Sequence, residues 1–147
     1  LVGARAQNWL RQEKSYRAFG TELGRDATPL EADLSRFIDL DKIFQGKEKM
    51  LEKGIRSKCV TLLIDGPDDA DPWGREALFQ NGTKVGRLTS GGFSVVFNKQ
   101  IGMGYVSEKL AIVGQELEVL IMGKRWAAKI VEDSPYDPKN ESIRVDG

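Results

Sequence analysis

The sequence predicts a mainly β protein, in which an N-terminal α part with a short helical segment leads into a six- to seven-stranded antiparallel barrel or distorted jelly roll. Helical spacing and capping signals are confined to residues up to Gly54, and after it short β-type runs alternate with turn residues. With 147 residues and 40% hydrophobic content, the chain is long enough for one core. We place the boundary between the two parts near residue 55.

The first predicted element is an amphipathic helix over residues 6–20. Four apolar residues recur at spacings of seven, three and four, which places them on one stripe of a helix. They are Trp9, Tyr16, Phe19 and Leu23. Glu13 and Arg17 stand four residues apart in the order that favours an ion pair on a helix, and Gly20 is expected to end it.

Two further helical segments are expected before the boundary. Thr28, Pro29 and Glu31 spell a capping box with proline at the first helical position, so a short helix is predicted to start there. Its length stays open, because residues 34–40 also fit the alternation of a strand. Residues 47–53 form a second helical patch, and Gly54 is expected to cap it.

The remaining chain is predicted to be strands joined by turns. Asn81-Gly82 is the strongest hairpin signal, and a second hairpin is expected around Gly123. In that second hairpin the alternating residues Leu117, Val119 and Ile121 face Trp126, Ala128 and Ile130. The other predicted strands are residues 59–64, 86–89, 93–97 and 101–106. Because so many short strands must hide their edges, we expect them to close on themselves.

Composition excludes several chemistries. The chain has no histidine, which rules out Ser-His-Asp and Cys-His catalysis, histidine-ligated zinc and a histidine general base. Lysine and arginine total 22 against 22 aspartates and glutamates, so no excess positive charge favours nucleic acid. The apolar runs are far shorter than the roughly 18–20 residues of a membrane span. We therefore expect a soluble protein without a nucleic-acid or membrane partner.

Several local features favour structural roles over functional ones. Cys59 is a single cysteine in a β-type run and is expected to be a buried hydrophobe. The acidic loop 65–72 lacks the spacing of an EF-hand, which favours a solvated turn over calcium binding. Gly91-Gly92 and the glycines of residues 102–104 lack dinucleotide-binding spacing and are expected to form bulges and turns. The sequence starts at Leu1, with neither an initiator Met nor the pattern of a signal peptide. We therefore expect a chain that starts inside a longer protein and is not secreted.

Five ordered elements resemble a known family. Residues 3–6 (GARA) with 10–17 (LRQEKSYR), 28–32 (TPLEA), 44–48 (FQGKE), 81–94 (NGTKVGRLTSGGFS) and 135–138 (PYDP) are similar to blocks of the glycine-cleavage T-protein, or aminomethyltransferase, family. The two extra residues between Arg5 and Leu10, and the form of residues 13–17 and 135–138, resemble the folate-binding part of dimethylglycine and sarcosine dehydrogenases more closely. The resemblance covers nearly the whole chain.

The resemblance implies a fold, a cofactor and partners. Residues 1–54 would be the tail of the folate-binding α/β domain, and residues 55–147 the C-terminal β-barrel domain. The cofactor would be tetrahydrofolate in the intact parent, with FAD in an N-terminal domain if the parent is a dehydrogenase. The partners would be folate, a small amine substrate and the N-terminal domains of the same chain. The location would be the cytoplasm in a bacterium or the mitochondrial matrix in a eukaryote.

The resemblance also implies site residues. Arg5 stands at the Gly-Ala-Arg position whose arginine contacts folate, Tyr16 at a position that is a folate-contacting tyrosine in some members, and Arg144 near a C-terminal arginine that contacts the cofactor's tail. For Tyr16, core packing is an equal alternative. Where many members place an aromatic residue near folate, this sequence departs from the pattern with Arg36, and Phe37 stands next to it. The family's catalytic aspartate and pterin-binding glutamate lie in the part of the family sequence before this chain, so no catalytic residue is expected here.

Three functions stay open on the sequence alone. The first is a fragment of a protein that transfers one carbon from a glycine-derived aminomethyl group, sarcosine or dimethylglycine to tetrahydrofolate, inactive by itself. The second is a folate-dependent demethylase or methyltransferase of the same fold. The third is a non-catalytic docking or lid domain. A relative in RNA modification or iron–sulfur assembly is disfavoured, because the KGCxxGQ element of that branch is replaced by residues 43–48 (IFQGKE).

Overall fold

The computed structural model describes residues 2–67, 69–142 and 144. Leu1, which entered the expectation about the start of the chain, and Asp68 of the acidic loop lie outside the described residues. No helix within the described ranges is long and apolar enough to cross a bilayer.

Six antiparallel strands form a closed barrel. Their bounds are β1 Ser57–Ile64, β2 Ala77–Gln80, β3 Thr83–Ser94, β4 Lys99–Ser107, β5 Glu116–Ile121 and β6 Lys124–Val131. Around the barrel the order is β1-β4-β3-β2-β5-β6, and β6 returns to pair with β1. Closure pairs the edges that an open sheet of these strands would expose. The predicted mainly β fold and its barrel form are confirmed.

The core fills the barrel interior with alternating residues from the strands. Its buried members are Val60, Leu62, Ile64, Leu78, Leu88, Val106, Leu117, Val119, Ile121, Ala128 and Ile130. The alternation predicted for the second hairpin is confirmed, since Leu117 lies opposite Ala128 and Val119 opposite Trp126. A strand buries every second residue, so this interior follows directly from the period of two in the sequence.

Both predicted hairpin turns are present. Asn81 and Gly82 have φ of 49° and 79°, and they join β2 to β3. Met122 and Gly123 repeat the arrangement with φ of 49° and 79° between β5 and β6. Two successive residues with positive φ form the tight turn whose twist matches that of the flanking strands.

The first helix, α1, spans Ala4–Glu13 and is shorter than predicted. The chain leaves the helix because Ser15 adopts φ of 52°, and its hydroxyl is held by Thr61 and the N–H of Ser134. The predicted core stripe is therefore wrong beyond Trp9, and Phe19 is 89% exposed.

Two local features expected around the first helix are also corrected. Glu13 and Arg17 do not pair, because Glu13 accepts a hydrogen bond from Ser94 and Arg17 forms a 2.6 Å ion pair with Asp133. Gly20 does not end the helix; with φ of 91° it belongs to a later turn.

The segment before the second helix is made of turns. The capping box is present, since the N–H of Glu31 bonds to the Thr28 hydroxyl and the Glu31 carboxylate accepts the N–H of Thr28. It closes a single turn and not the predicted helix, because Asp33 takes φ of 59°. A short 3-10 helix, Ser35–Phe37, stands where a strand was the alternative.

The second helix, α2, spans Lys47–Lys53 as predicted. Gly54 follows it with φ of 64° and donates its N–H to the carbonyl of Leu51. A positive φ is the backbone region that glycine adopts without penalty, which explains the stop.

The strand predicted at residues 86–89 and the first part of the one predicted at 93–97 belong to one strand, β3, which ends at Ser94, and residues 95–97 form a turn. Gly91 and Gly92 lie inside it, paired with β4, and not in a turn. The pairing of β3 with β4 does shift, but between Leu88 and Ser90. The expectation of bulges or turns at the glycines is therefore wrong, and the glycines have another role, described below.

Candidate functional site

Arg5 lies in the first turn of α1 and reaches the barrel. Its Nη2 is 2.6 Å from Oδ2 of Asp71, in the loop between β1 and β2. The Arg5 side chain is 59% exposed and that of Asp71 21%. A guanidinium carries five N–H donors, and the contact with Asp71 is the one hydrogen bond that Arg5 makes within the described ranges, so most of its donors have no partner there.

Two indole rings flank the Arg5 guanidinium. Its central carbon lies 5.3 Å from the ring centroid of Trp9 and 5.6 Å from that of Trp73. Both distances are within the range of cation–π attraction. Trp73 is 80% exposed, which leaves most of its surface accessible to a binding partner.

These residues line a cleft of about 250 Å³ together with Asn8, Pro72 and Gly91. The two glycines of β3 make the cleft and the docking of α1 possible. A Cβ at Gly91 would lie 2.7 Å from Pro72, and a Cβ at Gly92 would lie 2.0 Å from the Trp9 ring. Their role is therefore to admit an aromatic side chain and a proline against the strand.

A buried ion pair orients α1 on the barrel. Nη1 of Arg11 lies 2.8 Å from Oε2 of Glu22, whose side chain is fully buried. Burial by itself raises the pKa of Glu22, but hydrogen bonds from Ser90, the Ala18 N–H, Thr21 and Thr89 outweigh it and hold the pKa below the ordinary value. Glu22 is therefore a charged structural anchor.

Tyr16 lies just beyond α1 and is 52% exposed. Its N–H bonds to the carbonyl of Arg11, and its own carbonyl accepts from the Arg11 guanidinium at 2.9 Å. The Tyr16 hydroxyl has no hydrogen bond within the described part of the chain. Its exposure disfavours the core-packing interpretation and leaves the phenol available.

Arg144 is exposed near the end of the chain, and its N–H bonds to the carbonyl of Asn140. The turn before it is held by the Asp137 carboxylate, which accepts the N–H groups of Glu141 and Ser142. Among the contacts of the described residues, none joins Arg144 or Tyr16 to Arg5. The three-residue cofactor site therefore stays a prediction.

Arg36 and Phe37 are both exposed, and the guanidinium of Arg36 lies 4.8 Å from the Phe37 ring centroid. The two side chains stack on each other on the 3-10 helix. A guanidinium and a phenyl ring are thus stacked and exposed on this 3-10 helix.

Nucleophilic and metal chemistry have little support in the described ranges. Burial raises the pKa of the Cys59 thiol to about 12, so it is protonated at neutral pH. No cluster of three metal-ligating side chains occurs among residues 2–67, 69–142 and 144. The candidate site therefore consists of the Arg5 guanidinium and the indole rings of Trp9 and Trp73.

Trp9, Trp73 and Asp71 were not identified as site residues from the sequence. Trp9 was assigned to a core stripe, and Trp73 and Asp71 stand more than 60 positions away in a loop. The available signal was a tryptophan between turn-forming residues, in Pro72-Trp73-Gly74. The sequence does not show that this segment lies beside α1, because only the barrel topology brings them together.

Comparison with known proteins gives a consistent result. Residues 58–137, just over half of the chain, match the model of the glycine cleavage T-protein C-terminal barrel domain. Human mitochondrial dimethylglycine dehydrogenase is 40% identical over 136 residues, covering 89% of this chain and 16% of that protein. An aminomethyltransferase of Desulfitobacterium hafniense is 38% identical over 139 residues, covering 92% of this chain and 38% of that protein.

A solved structure agrees with the sequence comparisons. The crystal structure of glycine cleavage system aminomethyltransferase T from Bartonella henselae superposes with a TM-score of 0.81 and 28% identity, covering 90% of this chain and 38% of that one. The chain thus spans well under half the length of these relatives. It belongs to the glycine cleavage T-protein family and carries that family's C-terminal barrel domain.

Proposed function

We propose that this chain forms one wall of the cofactor site in a protein that transfers a one-carbon unit from a small amine to tetrahydrofolate. Family membership supports the reaction class, and the cleft at Arg5 supports the site. The observation that carries the proposal is the guanidinium of Arg5, which is more than half exposed and lies over the indoles of Trp9 and Trp73.

The residues of the cleft fit parts of tetrahydrofolate. The indole of Trp73 offers an exposed planar surface for an aromatic ring, and Arg5 offers N–H donors for a carboxylate or amide oxygen. Tyr16 and Arg144 are proposed to add a phenol and a second guanidinium. When bound, tetrahydrofolate supplies the nitrogen atoms that accept the one-carbon unit; this chain binds and orients it.

The catalytic groups are proposed to lie in the remainder of the parent protein. Residues 1–54 would complete the folate-binding domain and residues 55–147 would form the barrel domain. FAD would belong to a separate N-terminal domain if the parent is of the dehydrogenase type, as the similarity to dimethylglycine dehydrogenases suggests. The proposed location is the mitochondrial matrix in a eukaryote and the cytoplasm in a bacterium.

A docking or lid role for the isolated chain is the second candidate. The Arg5 cleft, at about 250 Å³, is smaller than the roughly 300–1,000 Å³ of typical ligand pockets. One wall of a shared pocket would have this size. A folate-dependent demethylase or methyltransferase would use the same wall, and the amine or methyl donor bound elsewhere would distinguish it.

The proposal is tested by replacing Arg5 with Ala in the parent protein and measuring tetrahydrofolate affinity by calorimetry. Loss of a charge-assisted contact is expected to weaken binding by roughly tenfold or more. Arg125→Ala is the matched control, because Arg125 is an exposed arginine on β6 paired with Glu118. An unchanged dissociation constant for Arg5→Ala would remove Arg5 from the site.

A further inference from the structure

A second, larger cleft lies between the loop of residues 20–27, Arg75 in the loop before β2, and strands β1, β3 and β4. Its volume is about 700 Å³. Three exposed cations line it: Arg75, Lys84 and Arg87. None of the three forms an ion pair with a carboxylate of residues 2–67, 69–142 or 144, whereas many other lysines and arginines of the chain do.

An irregular pairing brings Lys84 and Arg87 to one face. Arg87 lies opposite Ala77 and Lys84 opposite Phe79, with a register shift between Leu78 and Phe79. Ala77 and Phe79 are two residues apart on β2 and therefore point to the same side of the sheet. Their partners Arg87 and Lys84 point to that same outer side, although these two are three residues apart on β3. Without the bulge they would point to opposite faces.

Arg75 is held against its conformational preference. Its φ is 81°, and its N–H bonds to the carbonyl of Leu88 at 2.8 Å. The residues before it are fixed because the Glu76 carboxylate accepts the N–H groups of Trp73 and Gly74. A left-handed arginine costs free energy that glycine at the same place would not, and such strain is a mark of functional positions.

The acidic groups of the cleft do not neutralise these cations. Glu22 is buried and already bonded to Arg11, Ser90 and Thr89. The hydroxyl of Tyr105 donates to the Glu22 carbonyl at 2.8 Å, which fixes the wall of the cleft. Asp26 is the other acidic residue of the lining, so the cleft carries three cations and, besides the bonded Glu22, one carboxylate.

We propose that Arg75, Lys84 and Arg87 bind a small multivalent anion that carries phosphate or carboxylate groups. The two guanidinium groups supply planar forks that match either oxyanion, and Lys84 adds a point charge. This site shares no lining residue with the Arg5 cleft. It therefore stands independently of the proposed folate site.

The test is titration of the 147-residue chain with pyrophosphate and, separately, with citrate, followed by calorimetry at low ionic strength. Saturable 1:1 binding of either probe is expected, and the stronger probe identifies the anionic group. Arg87→Gln and Arg75→Gly are each expected to weaken binding about tenfold. Arg125→Gln removes the same charge outside the cleft and is expected to leave binding unchanged.

Arg75→Gly also separates binding from folding. Because the substitution removes a strained φ, it is expected to keep or raise the melting temperature of the chain while weakening anion binding. The proposal is overturned if neither probe binds saturably, if Arg75→Gly and Arg87→Gln bind as tightly as the original chain, or if Arg125→Gln weakens binding equally.

Discussion

Arg5 and Asp71 form a 2.6 Å ion pair that ties the first turn of α1 to the loop entering β2. The pair joins the segment before the barrel to the barrel itself. It also occupies one donor of the arginine proposed to contact the cofactor, so Asp71 positions that arginine.

The first prediction concerns this pair. Because Arg5 is more than half exposed, Asp71→Asn is expected to lower the free energy of unfolding by about 1 kcal/mol or less. Urea denaturation of Asp71→Asn, Arg5→Gln and the double variant measures the coupling. The similarly exposed pair of Glu118 and Arg125 serves as the control cycle. A loss above about 3 kcal/mol would show that the pair behaves as a buried one.

The second prediction concerns Gly92. Its Ala variant would place a Cβ 2.0 Å from the Trp9 ring, so α1 or the indole must move. We expect a loss of about 1–3 kcal/mol in the free energy of unfolding and a shift in tryptophan fluorescence. Gly24→Ala is the control, since a Cβ there has nothing within 4 Å. Equal stability of the two variants would show that α1 does not dock on β3.

The third prediction is a loss of stability in acid. The pKa of Glu22 is lowered in the folded state, so its contribution is fully present above the ordinary value of 4.5 and is lost as the pH falls through the folded pKa. Glu31 contributes in the same direction, since hydrogen bonds from Thr28 and Lys53 outweigh the effect of its burial on its pKa.

Glu22→Gln tests that prediction. The variant leaves Arg11 without its carboxylate, and its free energy of unfolding is expected to be about 3 kcal/mol lower at pH 7. Urea denaturation between pH 7 and pH 3 measures the free energy of unfolding of the variant and of the original chain. The difference between the two is expected to narrow as the pH falls below 4.5. A difference that stays constant with pH would assign the loss to packing alone.

The fourth prediction concerns Cys59. With a pKa of about 12, the buried thiol leaves roughly one thiolate in ten thousand at pH 8. A thiol-reactive disulfide is expected to label the folded chain negligibly and the guanidinium-unfolded chain completely. Rapid labelling of folded protein would mean that β1 opens readily.

The fifth prediction concerns the chain by itself. With one cleft of about 250 Å³ at Arg5, it is expected to bind tetrahydrofolate weakly or undetectably in calorimetry. Binding at micromolar affinity or better would show that the chain contains a complete site.

The sequence was sufficient for the barrel because each strand carries its own signals. Alternation in β5 and β6 and the positive-φ residues at Asn81-Gly82 are local features, and they predicted both hairpins. The end of α2 at Gly54 was predicted for the same reason. The order of strands around the barrel depends on pairings between distant segments, which local patterns do not contain.

The end of α1 was missed because distant contacts decide it. Ser15 leaves the helix to bond with Thr61 and Ser134, which are 46 and 119 positions away. Its neighbours have helical spacing, so a local pattern favours continuing the helix. The surroundings of Arg5 could not be predicted for the same reason: the resemblance singled out the arginine, but Asp71 and Trp73 reach it only through the fold.

The closure of the barrel sets a limit on when this unit can form during synthesis. β1 pairs with β4 and β6, so it has no complete set of neighbours until residue 131 has left the ribosome. Pairings this distant in sequence also make folding slow. The nascent chain must therefore carry β1 with an unprotected edge until β6 has been made, and a translation product that stops between these two strands would be a substrate for chaperones and proteases.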